Sequence, residues 1–313
     1  MNQTTADLKP VDAVALTWVD RTPERLRPYL RLMRLDRPIG TWLLFWPCVF
    51  GLILGAIASE RPFAGWHDLY MLILFGIGSL VMRGAGCTYN DIVDRDIDGS
   101  VARTRNRPIP SGAVSLRDAW LFLVAQCVVG LAILLQFNRF AIVLGASSLL
   151  LIAAYPFMKR ITWWPQAWLG LTFNWGALLG FAAQTEMIDW ADAMLYAGLF
   201  FWTLGYDTIY ALQDKEDDVL IGVKSTALLF GARVRDWIMA FYAIAFALIL
   251  AAGFAEHAGW PFTLLMLVAG AHLLWQVHVL KIDDPEHCLK VFRANRDTGA
   301  LIACAFLFSS WIW

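Results

Sequence analysis

Nine apolar runs of membrane-crossing length set what this chain can fold into. They fall at about 39–58, 68–90, 115–136, 139–157, 163–184, 190–212, 235–256, 261–280 and 297–313. Roughly 20 apolar residues in a helix cross the ~30 Å hydrocarbon layer. Backbone groups in that layer must pair internally, which selects helices here. The sequence therefore predicts an all-α integral membrane protein with nine transmembrane helices. Several runs contain Gly or Pro, which membrane helices tolerate. The third and fourth are separated only around Phe137-Asn138 and read as a tight helical hairpin. Residues 1–28 form a polar tail without a signal-peptide pattern, and 29–313 form the membrane domain. With 59% hydrophobic residues and a net charge of −1, no nucleic-acid partner is expected. The five cysteines form no CxxC pair, and the histidines show no zinc-ligand spacing.

Lys and Arg give the orientation. They crowd into the N-terminal tail and the loops after the second, fourth, sixth and eighth runs, whereas the opposite loops hold only Arg61 and Arg139. Loops rich in Lys and Arg stay on the cytoplasmic side. The N-terminus is thus expected in the cytoplasm, and a multi-pass protein of a bacterial inner membrane is the expected setting.

Two acidic clusters end two of the runs on that basic side. Asn90-Asp91-Ile92-Val93-Asp94-Arg95-Asp96-Ile97-Asp98 closes the second run, and Tyr210-Ala211-Leu212-Gln213-Asp214-Lys215-Glu216-Asp217-Asp218 closes the sixth. Aligning Asn90 with Tyr210 puts Asp94 over Asp214 and Asp98 over Asp218. The matched spacing, four spans apart, has the form of a parallel internal repeat. On a continuing helix Asp91, Asp94 and Asp98 share one face, as do Asp207, Tyr210, Asp214 and Asp218. A solvated acidic loop would explain one such cluster, but two matched clusters on one side point to a site. So many like charges call for a bound cation. Carboxylate oxygens suit magnesium, which is usually held through a few carboxylates plus substrate phosphates.

Basic residues accompany the acids: Arg95 within the first cluster, Arg103, Arg105 and Arg107 after it, Lys159 and Arg160 after the fourth run, and Lys224 after the second cluster. Together they could hold a diphosphate, although cytoplasmic loops are basic for topological reasons alone. Arg83 lies inside the second run, ~10 Å deeper than Asn90 on the same face. An intramembrane arginine needs an anionic partner. That partner is either a structural group or the carboxylate of a small substrate held by two hydrogen bonds. A lipid diphosphate would fit this layout, with its head at the rim and its tail among apolar helices. A carbocation formed by loss of diphosphate needs a dry pocket, and aromatic faces can stabilise it.

At these residues the chain resembles the UbiA family of intramembrane aromatic prenyltransferases. The likeness rests on Arg31 to Gly40, Asn90 to Asp98, Arg103 to Gly112, Tyr155 to Arg160 and Tyr206 to Gly231. The flanking segments are most similar to members that prenylate 4-hydroxybenzoate in ubiquinone biosynthesis. The resemblance implies a nine-helix bundle around a central cavity. It implies Mg2+ on Asn90, Asp94, Asp98, Asp214 and Asp218, with Asp91 and Asp207 nearby. Lys159, Arg160 and Lys224 would contact the diphosphate, as could Arg95 and Arg103. Tyr210 would line the site, and Arg83 would meet the acceptor's carboxylate. The implied substrates are a polyprenyl diphosphate and 4-hydroxybenzoate, and the implied reaction is prenylation ortho to the phenol. Rival readings are a sibling transferase acting on a naphthoate, homogentisate or haem, a lipid-phosphate hydrolase or phosphotransferase, and a cation-coupled transporter. No catalytic histidine at the basic rim supports the hydrolase. A transporter would place its charges near mid-membrane rather than at one edge.

Overall fold

Helices account for all the regular structure among the described residues of this computed structural model. It describes residues 17–100 and 104–312, without the side chains of Asp217 and Ile221. Arg103 and residues 1–16 of the expected tail lie outside that range. The helices are α1 (Arg27–Leu32), α2 (Ile39–Ala58), α3 (Trp66–Ser100), α4 (Leu116–Leu134), α5 (Arg139–Ile161), α6 (Pro165–Phe173), α7 (Trp175–Thr185), α8 (Trp190–Gln213), α9 (Lys215–Ile221), α10 (Thr226–Phe230), α11 (Val234–Ala255), α12 (Trp260–Val279) and α13 (Pro285–Ser310).

Among the described residues, six stretches are long and apolar enough to cross a membrane: α2, α3, α4, α5, Thr226–Ala255 and α12. The fifth, sixth and ninth runs of the sequence fall short, for local reasons. The run at 163–184 breaks at Asn174. The buried Nδ2 of this residue donates to the Gly170 and Leu199 carbonyls and to Thr203 Oγ1, at 2.8, 3.0 and 2.8 Å. That leaves helices of 9 and 11 residues. Helix α8 dilutes its apolar run with Tyr, Thr and two aspartates. Helix α13 begins twelve residues before the predicted run, in the charged segment from Pro285.

The chain divides into two compact units. The first, residues 1–42 and 76–136, holds α1, the start of α2, most of α3, and α4. Leu32, Ile92, Ile109, Val114 and Ala119 form its core, with Tyr29, Phe122 and Leu123 packed against them. Ile92 thus buries the apolar side of the acidic stretch while the aspartates take the other positions. Helix α3 runs 35 residues without interruption. At 1.5 Å per residue that is ~52 Å, well beyond the hydrocarbon layer. The first acidic motif therefore rides on a rigid helical extension, as its spacing predicts.

The second unit, residues 43–75 and 137–313, is organised around α8. A buried polar chain ties four helices together there. Trp202 Nε1 donates to Asn295 Oδ1 at 2.8 Å, and Asn295 Nδ2 to Gln276 Oε1 at 2.9 Å. Tyr242 OH donates to Gln276 Oε1 at 3.0 Å, and Gln276 Nε2 to Thr298 Oγ1 at 2.9 Å. In an apolar surround each unpaired member would be costly, so the network fixes the register of α8, α11, α12 and α13. Small residues set the closest approach in this unit. A Cβ added at Gly51 of α2 would lie 2.8 Å from the Ala177 carbonyl carbon and 2.9 Å from Phe181 N. One added at Gly180 of α7 would lie 2.5 Å from the Cys48 oxygen and 2.8 Å from Leu52 N. Because these are backbone atoms, neither helix can give way cheaply. Gly180→Val is expected to lower stability by ~3 kcal/mol or more, seen as a lower melting temperature in detergent. Gly86→Ala, where an added Cβ meets nothing within 4 Å, is expected to be neutral or stabilising in the same assay.

Candidate functional site

The first acidic motif is buried where it faces inward: Asp91 is 0%, Asp94 1% and Asp98 6% exposed. Arginines distribute these carboxylates among different tasks. Arg34 Nη2 reaches Asp91 Oδ1 at 2.6 Å and Oδ2 at 2.9 Å. Arg107 Nη1 donates to Asp98 Oδ2 at 2.8 Å and lies 3.5 Å from Asp91 Oδ1. Asp91 is thus enclosed by two guanidinium groups. Asp94 accepts from Asn90 Nδ2 at 3.1 Å, one helical turn away.

The two arginines are positioned by local backbone. After α1 the chain turns through Arg34, whose φ of 60° lies in the left-handed region that usually takes glycine. Leu35 N donates to the Leu30 carbonyl at 3.0 Å and Arg34 N to Arg31 at 2.9 Å, closing the helix end. A non-glycine residue there costs ~1 kcal/mol or more, and the pair with Asp91 offsets it. Arg107 sits in a tight loop in which its own N–H meets the Thr104 carbonyl at 2.8 Å, while Thr104 Oγ1 caps the Asp98 carbonyl at 2.9 Å.

Arg83 lies on α3, two turns before Asn90, and its Nη1 donates to the Cys87 sulfur. Arg95 points elsewhere. It pairs with exposed Asp96 at 3.5 Å and is itself exposed, whereas Asp91, Asp94 and Asp98 are buried. The structure brings Asn90, Asp91, Asp94 and Asp98 together and leaves Arg95 outside that group.

The second motif is built differently. Helix α8 ends at Gln213, Asp214 serves as its cap, and α9 restarts at Lys215. Asp218 N still donates to the Asp214 carbonyl at 2.8 Å, so the two acids remain one turn apart. Asp207 and Tyr210 precede them on α8, and the Tyr210 ring packs on Phe292 at 4.8 Å. Gly222, in the left-handed region at φ 70°, turns the chain after α9. The following Lys224-Ser225-Thr226 is pinned to the end of α5 and to α6. Lys224 N donates to the Lys159 carbonyl at 3.1 Å, and Lys224 Nζ to the Ile161 carbonyl at 3.1 Å. Thr226 N donates to Gln166 Oε1 at 3.0 Å, and the Thr226 and Thr208 hydroxyls share a hydrogen bond of 2.7 Å. These contacts gather Lys159 and Lys224 at one place, with Arg160 exposed beside them.

Among the described residues no three His, Cys, Asp or Glu side chains converge as a ready cage for a metal. Magnesium keeps waters and phosphate oxygens and takes only one or two carboxylates from protein. Asn90 and Asp94 offer such a partial, all-oxygen donor set on one helical face. Arg34 is the member that sequence reasoning passed over, and Arg107, expected as a diphosphate contact, pairs with Asp98 and Asp91 instead; nothing in their spacing links them to Asp91, 57 and 16 positions away.

Comparison with known proteins adds the following. Residues 44–309 match the family described as UbiA prenyltransferase family. The chain is 51% identical over 276 residues, 88% of its length, to "4-hydroxybenzoate polyprenyltransferase, mitochondrial" of Aedes aegypti, and it spans 62% of that relative. The Homo sapiens protein of the same name is 48% identical over 91% of this chain and 76% of its own, and that of Bos taurus is 47% identical over 94% and 78%. Among solved structures, the apo UbiA homolog from Aeropyrum pernix K1 superposes with a TM-score of 0.70 at 27% identity, over 85% of this chain and 97% of that one. A homolog from Archaeoglobus fulgidus bound to GPP and Mg2+ has a TM-score of 0.65 at 20% identity, over 91% and 100%. The relatives correct the expected location. These are mitochondrial proteins of animals, which points to a mitochondrial membrane and not to a bacterial one. Charge bias distinguishes the two sides of a membrane but carries no mark of which membrane it is.

If Asp91 is a structural anchor, Arg34→Ala is expected to destabilise the protein by ~3–5 kcal/mol, because it strips a buried carboxylate of its main partner. Thermal unfolding without substrate is the measurement. Pairing Arg34→Ala with Asp91→Asn is expected to recover part of the loss.

Proposed function

The chain belongs to the UbiA prenyltransferase family, and on that footing we propose that it transfers a polyprenyl group from an allylic polyprenyl diphosphate to 4-hydroxybenzoate. The new bond forms at the ring carbon ortho to the hydroxyl. The observation that carries this reading is 47–51% identity, over 88–94% of the chain, to enzymes named for that reaction. The reaction breaks the allylic C–O bond, forms a C–C bond, and releases diphosphate and one ring proton.

Residue roles follow from chemistry. Asn90, Asp94 and Asp98 in one motif, and Asp214 and Asp218 in the other, would hold Mg2+, with Asp207 nearby. Magnesium neutralises charge on a leaving diphosphate. Lys159, Arg160 and Lys224 supply cationic donors for the phosphate oxygens; Arg103 and Arg95, the latter exposed beside Asp96 in this structure, belong to the same proposed set. Burial of Asp94 and Asp98 favours this role, because charged contacts strengthen where water is excluded. Tyr210 offers an aromatic face to the site. Arg83, set deeper than the acids, would grip the carboxylate of the acceptor with its planar donor fork. Arg83 favours an aromatic acid over haem as acceptor. We also take α6–α7, α8 and α13 as membrane crossings alongside the six long apolar stretches, with the N-terminus on the basic side.

The test mixes purified protein, an allylic polyprenyl diphosphate and 4-hydroxybenzoate, with magnesium or with chelator. Prenylated 4-hydroxybenzoate is expected only with magnesium; no product under either condition would sink the proposal. Asp94→Ala and Asp214→Ala are each expected to lower kcat by ~10²-fold or more while the protein still inserts and melts cooperatively. Arg83→Ala is expected to raise KM for the aromatic acid roughly tenfold or more, the cost of losing a charged hydrogen-bonded pair, with little change for the diphosphate.

A further inference from the structure

We propose that Gly40 is a positioning residue for Arg83: its missing side chain is the space that lets the guanidinium lie in its working orientation. The inference rests on the reading of Arg83 as the carboxylate-binding group. Gly40 is the second residue of α2 and belongs, like Arg83, to the first compact unit. A Cβ built on Gly40 would fall 2.9 Å from Arg83 Nη2 and 3.0 Å from Cζ, with Nε closer still. Cβ atoms do not approach other heavy atoms so closely, so something has to move.

What moves is the arginine. The first turn of α2 is held by its own backbone: Thr41 N and Trp42 N both donate to the Pro38 carbonyl, at 3.0 and 3.2 Å. Pro38 has a fixed φ. Gly40 lies outside the left-handed region, so alanine is conformationally acceptable there, and within a helix it is the better former. Arg83, by contrast, meets Gly40 with the far end of a long side chain that has several rotamers. Its Nη1 is held on the Cys87 sulfur, so the Gly40 side and the Cys87 side together fix the plane of the fork. An added methyl group therefore rotates or lifts the guanidinium and leaves the helices in place. Two parallel hydrogen bonds to a carboxylate depend on the orientation of that plane, so a small displacement weakens acceptor binding selectively.

The experiment is a mutant cycle in the prenylation assay, with 4-hydroxybenzoate and its methyl ester as alternative acceptors and thermal melting alongside. Gly40→Ala is expected to raise KM for 4-hydroxybenzoate about tenfold and to narrow the preference for acid over ester. KM for the polyprenyl diphosphate should change less than about threefold, and the melting temperature should hold or rise. In the Arg83→Ala background, Gly40→Ala is expected to add nothing, since the two act through one contact. In the Arg83→Lys background, which lacks the fork, its effect should likewise shrink. If Arg83→Ala leaves KM and the acid preference unchanged, the carboxylate reading itself falls. If Arg83→Ala has its effect but Gly40→Ala does not, or if the two effects add in full, the positioning role is overturned. A general packing defect would show as a lower melting temperature and equal losses for acid and ester, and that too would overturn it.

Discussion

The first acidic motif depends on the ion pair between Arg34 and Asp91. A carboxylate with no exposure to solvent is costly unless it is paired and hydrogen-bonded. Arg34 meets both of its oxygens, and Arg107 approaches from the other side. This arrangement does three things at once. It fixes the turn that leads from α1 into α2, against the strain of a left-handed arginine. It ties the loop after α3 back onto that helix. It also supplies positive charge beside Asp94 and Asp98, which would otherwise repel each other across one helical turn. Gly40 enters α2 six residues after Arg34, so the same anchored turn that neutralises Asp91 also delivers the small residue lying against Arg83. Acid motif and arginine are thus set by one short, strained segment.

The second motif presents a comparable set of acids by another route. Its acids straddle a break between α8 and α9, and the loop behind them is pinned to α5 and α6 by backbone and side-chain hydrogen bonds. Helix α8 itself is locked by the Trp202–Asn295–Gln276 chain. Matching the two motifs by spacing is therefore sound at the level of residue type and misleading at the level of backbone. One is a straight helical face, and the other is a cap, a single turn and a glycine reversal.

The parts legible in the sequence are those governed by periodicity. Apolar length marks α2, α3, α4, α5, α11 and α12, and the i, i+3, i+7 spacing of Asp91, Asp94 and Asp98 marks the extension of α3. The parts that were not legible depend on partners far apart in the chain. Asn174 breaks a helix through contacts with Gly170, Leu199 and Thr203, two of them more than twenty residues away. The pairing of Asp91 with Arg34 and Arg107 is equally non-local, and Arg34 reads as one more topological cation until the turn containing it is known. Arg95 is a contrasting case: four residues after Asp91 and so near the same face of the helix, it is nonetheless exposed and pairs with Asp96.

That sorting bears on how a short acidic stretch can serve two functions. Four aspartates in nine residues cannot all be ligands of one ion, since magnesium accepts few protein oxygens. The helix separates them by angle. Asp96 goes to solvent, whereas Asp91, Asp94 and Asp98 share the buried face, where Asp91 meets the arginines. Asp98 retains one oxygen on Arg107, whereas Asp94 keeps company with the neutral amide of Asn90. Of these acids, Asp94 and Asp98 are the ones proposed as ligands of a divalent cation. Asp91, already matched by two guanidinium groups, would gain least from a metal and lose most by leaving its partners, so its charge is better understood as the foundation on which the other two are presented.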